Sequence, residues 1–105
     1  MAEKHIMLVC NAGMSTSMLV QKMIKVAEQD GKNYDIFAVS TSKVPEKIKE
    51  VNIDAVLLGP QVRYMEGTIK EQVGEIPLQV IDMVDYGTMN AESVLKTAEA
   101  MFKER

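Results

Sequence analysis

Cysteine is almost missing from this chain: Cys10 is the only one in 105 residues. One thiol excludes an internal disulfide framework, and with His5 as the only histidine a structural zinc site is excluded as well. Tryptophan is absent, aromatic residues make up 5% of the chain, and the net charge is −3 with no cluster of lysine and arginine. A chain with neither a basic footprint nor stacking residues is a poor nucleic-acid binder. Apolar runs stay far below the ~20 residues of a membrane span, so direct membrane insertion is not expected. No signal-type segment is read at the N-terminus, and nine methionines beside one thiol fit a cytoplasmic protein. Repeats, low-complexity stretches and linkers are also missing. One domain over residues 1–105 is therefore expected, long enough to bury a core without metal or disulfides.

What is present is an alternation of strand-like and helix-like patterns. His5 to Val9 reads as a buried strand. Residues 16–30 read as a helix, with Leu19, Val20, Met23, Ile24 and Ala27 on one side and Gly31 as a stop. Tyr34 to Ser40 is a second strand, Pro45 to Glu50 a short proline-led helix, and Asp54 to Leu58 a third strand ended by Gly59-Pro60. Val62, Met65, Ile69 and Val73 mark the next helix, whose continuity Gly67 weakens. Pro77 to Ile81 is a fourth strand, Asp82 to Gly87 a loop, and Val94, Leu95, Ala98, Met101 and Phe102 line a last helix with Asn90 as its cap. Strands alternating with helices predict an α/β fold: a four-stranded parallel sheet with helices on both faces, in a flavodoxin-like or Rossmann-like winding. Ligands of such folds sit at the carboxyl ends of the strands.

The segment Cys10-Asn11-Ala12-Gly13-Met14-Ser15-Thr16-Ser17 falls at that edge, between the first strand and first helix. Unpaired backbone N–H groups at a helix N-terminus bind anions, and the same partial charge favours a thiolate. Gly13 lets the backbone wrap closely around phosphate oxygens. Ser15, Thr16 and Ser17 serve equally as helix caps and as phosphate contacts. The Gly-Lys-Ser/Thr ending of a nucleotide-binding P-loop is missing, so no cofactor or nucleotide is expected. The residues outside the loop have ordinary readings beside functional ones. Met14 and Met18 are core filler or contacts for a protein partner. Gln61, Arg63 and Tyr86 are surface or turn residues that double as partner-contact candidates. Asp82 and Asp85 read first as turn and cap residues, and His5 is assigned no role.

A cysteine at a strand–helix junction resembles the low-molecular-weight tyrosine phosphatases and arsenate reductases. Their pattern places an arginine after five intervening residues, where this chain has Thr16. Without that guanidinium, hydrolysis lacks its transition-state partner. A single cysteine also leaves no resolving thiol for arsenate reduction. The Cys10–Ser17 segment is instead similar to the enzyme IIB component of the sugar phosphotransferase system, in its lactose/cellobiose/chitobiose group. Val56-Leu57-Leu58-Gly59-Pro60-Gln61-Val62, Tyr64-Met65, Val80-Ile81-Asp82 and Tyr86-Gly87 extend that likeness nearly end to end. The resemblance implies a phosphoryl carrier. Cys10 would accept the group from a phosphohistidine of enzyme IIA and transfer it to a sugar, such as cellobiose, chitobiose or lactose, bound by the membrane component IIC. A low-molecular-weight phosphatase or arsenate reductase-like enzyme and a non-catalytic thiol-based interaction module are the alternatives.

Overall fold

The computed structural model describes residues 2–11 and 14–103, with the side chains of Met14, Ser15 and Lys103 outside the described set. The elements alternate: β1 (Lys4–Cys10), α1 (Met14–Gln29), β2 (Tyr34–Ser40), α2 (Val44–Glu50), β3 (Ala55–Leu58), α3 (Glu66–Val73), β4 (Leu78–Val80), α4 (Met83–Gly87) and α5 (Ala91–Lys103). Two 3-10 segments, Thr41–Lys43 and Pro60–Met65, lead into α2 and α3. The four strands form one parallel sheet, as the sequence predicts, and their order is β2-β1-β3-β4.

The pleat of β1 and β3 divides the core in two. Successive side chains point to opposite faces. Ile6 and Leu8 of β1 and Ala55 and Leu57 of β3 join Leu19, Val20, Met23 and Ala27 of α1 and Val94, Leu95, Ala98 and Met101 of α5. Met7 and Val9, with Val56 and Leu58, join Val44, Val62, Ile69 and Val73 on the other face. Both faces of the central strands are buried, which is why they read as unbroken apolar runs rather than as alternating ones.

Local chemistry sets the boundaries. Gly31 takes φ 72°, its N–H donates to the Glu28 carbonyl, and the Lys32 N–H donates to that of Ala27. This pair of bonds is a Schellman motif, the left-handed glycine stop that closes α1. Asn90 Oδ1 accepts from the Ser93 N–H and caps α5. The segment from Pro60 to Val73 bends at Val62 (φ −115°, ψ 17°), inside the 3-10 segment, whereas Gly67 sits within α3. The stretch 82–87, expected to be a loop, contains α4, a short helix that Asp82 caps by accepting from the N–H groups of Val84 and Asp85.

Strand order and register align the carboxyl ends. Cys10 is level with Ser40, Val9 with Leu58, and Leu58 with Val80. From β1 the chain steps to β2 on one side and then to β3 on the other. The switch point of the sheet therefore lies between β1 and β3, where the segments after Cys10 and after Leu58 flank one crevice.

Candidate active site

Cys10 ends β1 at this switch point. Its residue is buried, with 2% of its surface exposed. It is in phase with Ile6 and Leu8, on the face covered by α1. The thiol donates a weak hydrogen bond to the Val39 carbonyl oxygen at 3.8 Å. Four positions after the cysteine, α1 begins at Met14, so the thiol precedes the N-terminal turn of a four-turn helix. The partial positive charge of that turn suits a phosphoryl group.

The remaining loop residues divide as follows. Asn11 and Ser17 are exposed. Ala12 and Gly13 lie outside the described residues, as do the side chains of Met14 and Ser15. Thr16 is completely buried, the one buried polar residue among those described. Its Oγ1 lies 2.8 Å from the Tyr86 hydroxyl, across 70 positions of sequence. Gln61 Nε2 donates to the same hydroxyl at 3.0 Å. Three segments of the carboxyl edge thus meet at one phenol: the first turn of α1, the segment after β3, and α4.

Gln61 reaches Tyr86 by folding back over Gly59. A Cβ built on Gly59 would stand 2.6 Å from Gln61 Oε1, so the missing side chain is the space that the carboxamide occupies. Gly59 is itself held in line with the sheet, because its N–H donates to the Val9 carbonyl at 2.9 Å.

Sequence reading placed Gln61 and Tyr86 among partner contacts. The structure turns the Tyr86 hydroxyl inward toward the loop, a linkage between distant segments for which the sequence carries no local signal. Arg63 is exposed, and so are the large apolar residues Met18, Tyr64, Met83 and Val84. An open cleft of about 490 Å³ runs between Pro60, Arg63 and Asp82-Met83, and Cys10 does not line it. Asp82 is used as the cap of α4, and Asp85 accepts from the Ser93 hydroxyl at 2.7 Å. Both carboxylates therefore hold α4 and α5. His5 lies at the opposite end of β1, its Nδ1 3.0 Å from Asp35 Oδ2.

A doubly wound parallel sheet with a buried thiol at its switch point, ahead of a helix N-terminus, defines the class of open α/β domain whose ligands sit at the carboxyl edge of the sheet. Comparison with known proteins makes this specific. Residues 5–97 match the family model described as PTS system, lactose/cellobiose specific IIB subunit. The chain belongs to this family: it is a sugar-transport phosphotransferase component of the cellobiose/lactose type.

Among its relatives are the galactose-specific and cellobiose-specific EIIB components of two Lactococcus lactis strains. Each is 46% identical over 104 residues, covering 94% of this chain and 96% of the relative. The oligo-beta-mannoside-specific EIIB component of Bacillus subtilis is 36% identical, covering 90% of this chain and 92% of its own. In structure, the cellobiose-specific IIB component of Borrelia burgdorferi superposes with a TM-score of 0.79 at 41% identity, covering 96% of this chain and 93% of that one. The lactose-specific IIB domain of Streptococcus pneumoniae reaches 0.72 at 16% identity over 90% of this chain and 96% of its own, which speaks for the fold alone. No helix among the described residues is long and apolar enough to cross a membrane.

Proposed function

We propose that the protein is a cytoplasmic phosphoryl carrier working through Cys10. It takes the phosphoryl group from a phosphohistidine of enzyme IIA and passes it to a sugar bound by the membrane enzyme IIC. The observation that carries this reading is the placement of the chain's only thiol at the end of β1, four positions before α1, in a member of the IIB family. The cellobiose and oligo-beta-mannoside specificities in the names of two relatives support a β-linked saccharide such as cellobiose as the sugar, while a third relative is named for the monosaccharide galactose.

The chemistry balances without a further reactant. The Cys10 sulfur attacks phosphorus in line, a P–S bond forms, and the P–N bond to the histidine breaks. The electron pair of that bond stays on the imidazole nitrogen, which takes up the thiol proton. In the second step a sugar hydroxyl oxygen attacks phosphorus, the thiolate leaves, and the hydroxyl proton is lost to base. Backbone N–H groups of residues 11–17 offset the charge on the equatorial oxygens. The hydrogen bond to Val39 belongs to the thiol alone. Once the S–H proton is gone the sulfur has nothing to donate, so the carbonyl no longer attracts it, while the helix N-terminus does.

Thr16 stands where the related phosphatases carry arginine, and Asp82 and Asp85 are both tied to helix N–H or hydroxyl groups. Water is then a poor competitor of the sugar, which is what a carrier requires. Incubation with phosphorylated enzyme IIA is expected to label the wild type on cysteine and to leave Cys10→Ser unlabelled. Label retained by that variant, or brisk turnover of an aryl phosphate by the free protein, would overturn the reading.

A further inference from the structure

The geometry points to Tyr86 as a positioning residue which, together with Gln61, fixes the Thr16 hydroxyl as a donor to the phosphoryl group on Cys10. This rests on the carrier reading above and names the residues that complete its loop. The argument begins with proton counting. A carboxamide N–H and two hydroxyl groups bring three protons to this cluster, and its two hydrogen bonds use two of them. Gln61 Nε2 supplies one to the Tyr86 oxygen. The second bond, between Tyr86 and Thr16 Oγ1 at 2.8 Å, uses one of the two hydroxyl protons. One O–H proton is therefore left for an acceptor outside the trio.

Polarisation selects which one. A hydroxyl that accepts a hydrogen bond becomes a better donor, so the Gln61 bond favours Tyr86 giving its proton to Thr16. Thr16 then keeps its own proton free at the first turn of α1, on the helix end where the phosphoryl oxygens gather. Burial adds weight. Thr16 is fully buried, and a buried hydroxyl left without partners costs free energy. The fold has invested three separate segments in holding this one. The Gly59 contact shows that the Gln61 arm of the network is built in, because the side chain occupies space that any other residue at that position would fill.

Tyr86→Phe keeps the ring that packs against the core of α1 and α5 and deletes the hydroxyl. Thr16→Val deletes the proposed donor, and Thr16→Ser retains it. The kinetics of transfer from phosphorylated enzyme IIA separate positioning from docking. Tyr86→Phe is expected to lower kcat about tenfold, below the 10²–10³ of losing a direct oxyanion donor, with KM for the donor protein unchanged. Thr16→Val is expected to lose at least as much, and Thr16→Ser to recover most of it. Titration with inorganic phosphate, followed by NMR of the backbone amides of residues 14–17, reads the same network without enzyme IIA. Tyr86→Phe and Thr16→Val should weaken phosphate binding in parallel with kcat. A rise in KM at constant kcat would make Tyr86 a docking residue, and a Thr16→Ser as impaired as Thr16→Val would make the cluster merely structural. Either result overturns the proposal. Failure of the wild type to be labelled on Cys10 would instead refute the carrier reading, and the phosphate titration would still decide the network.

Discussion

Gly59→Ala isolates the Gln61 arm from the stability of the fold. The backbone of Gly59 lies at φ −62°, ψ 145°, an extended conformation that alanine adopts without strain. The three atoms nearest the added methyl all belong to the end of the Gln61 side chain, with Oε1 at 2.6 Å and Cδ at 3.2 Å. Gln61 is exposed, so its carboxamide can swing into solvent. The loss is then the Gln61–Tyr86 hydrogen bond, worth about 0.5–1.5 kcal/mol. Against it stands a gain of about 0.4–1 kcal/mol, because alanine restricts the unfolded chain more than glycine does. The two nearly cancel. At about 4–8 °C per kcal/mol for a domain of this size, the melting temperature should stay within about 5 °C of wild type.

Phosphoryl transfer responds differently, because nothing on the functional side offsets the lost bond. Converted through the transition-state relation, the same 0.5–1.5 kcal/mol is a fall in kcat of roughly twofold to tenfold. Gln61→Ala should match it, and the double variant should be no worse than either single one, since both remove one interaction. Thermal unfolding and transfer from phosphorylated enzyme IIA, measured on the three variants, check this. A destabilisation beyond about 3 kcal/mol would show that the end of β3 cannot accept the methyl, and would refute the cancellation. Unchanged kcat in Gly59→Ala would show that Gln61 contributes nothing to transfer.

Other expectations concern the frame around the site. Tyr34→Phe removes a hydrogen bond of 2.8 Å to Glu99 Oε2 and should cost about 1 kcal/mol by thermal unfolding at neutral pH. Burial, then the bond and charge of Glu99, hold the Tyr34 phenol well above its ordinary range. The folded state thus keeps this proton where the unfolded chain would release it, so the contribution is complete below pH ~10 and is lost as pH rises beyond that. The alkaline fall in melting temperature should therefore be shallower in Tyr34→Phe. Asp82→Ala strips the cap from α4 and should cost about 1 kcal/mol, with faster amide exchange at Val84 and Asp85. Leu57→Ala, at a fully buried position between α1 and α5, should cost about 2–5 kcal/mol in denaturant unfolding without altering which residue is phosphorylated.

The fold was legible wherever a physical signal was local and periodic. β1 and β3 are buried on both faces, so their apolar runs are unbroken, and the strand assignments follow from them. Gly31 and Asn90 announce helix ends because their chemistry is that of a left-handed stop and a side-chain acceptor. Two features escaped. α4 spans five residues, too few to show a helical period. It exists because Asp82 caps it and Asp85 reaches Ser93. The bend before α3 falls at Val62 rather than at Gly67. Gly67 has open space around its Cα and simply tolerates the helix. Val62 is fully buried in the core shared with Met7, Val9 and Leu58, and tertiary packing there accompanies a backbone that departs from the helix.

The site shows the same boundary between local and long-range information. A thiol at the end of a buried strand, followed by glycine and three hydroxyl residues, is a local pattern with a chemical meaning. That pattern alone puts Cys10 at the carboxyl edge of the sheet, where β1 ends. The partners of the thiol and of Thr16 are another matter. Val39 comes from β2, 29 positions away. Tyr86 is 70 positions from Thr16 and 25 from Gln61. No spacing rule relates these residues, because their proximity is a product of strand order. β1 stands beside β3, and β3 beside β4, so Thr16 in the first turn of α1 meets Tyr86 after β4, and Gln61 after β3 joins the same hydroxyl. A tyrosine after β4 then reads as a surface residue from sequence alone, since nothing in Tyr86-Gly87 records that β4 lies beside β3. The chain order supplies the thiol at the end of β1, and the sheet order supplies the groups that meet it and Thr16.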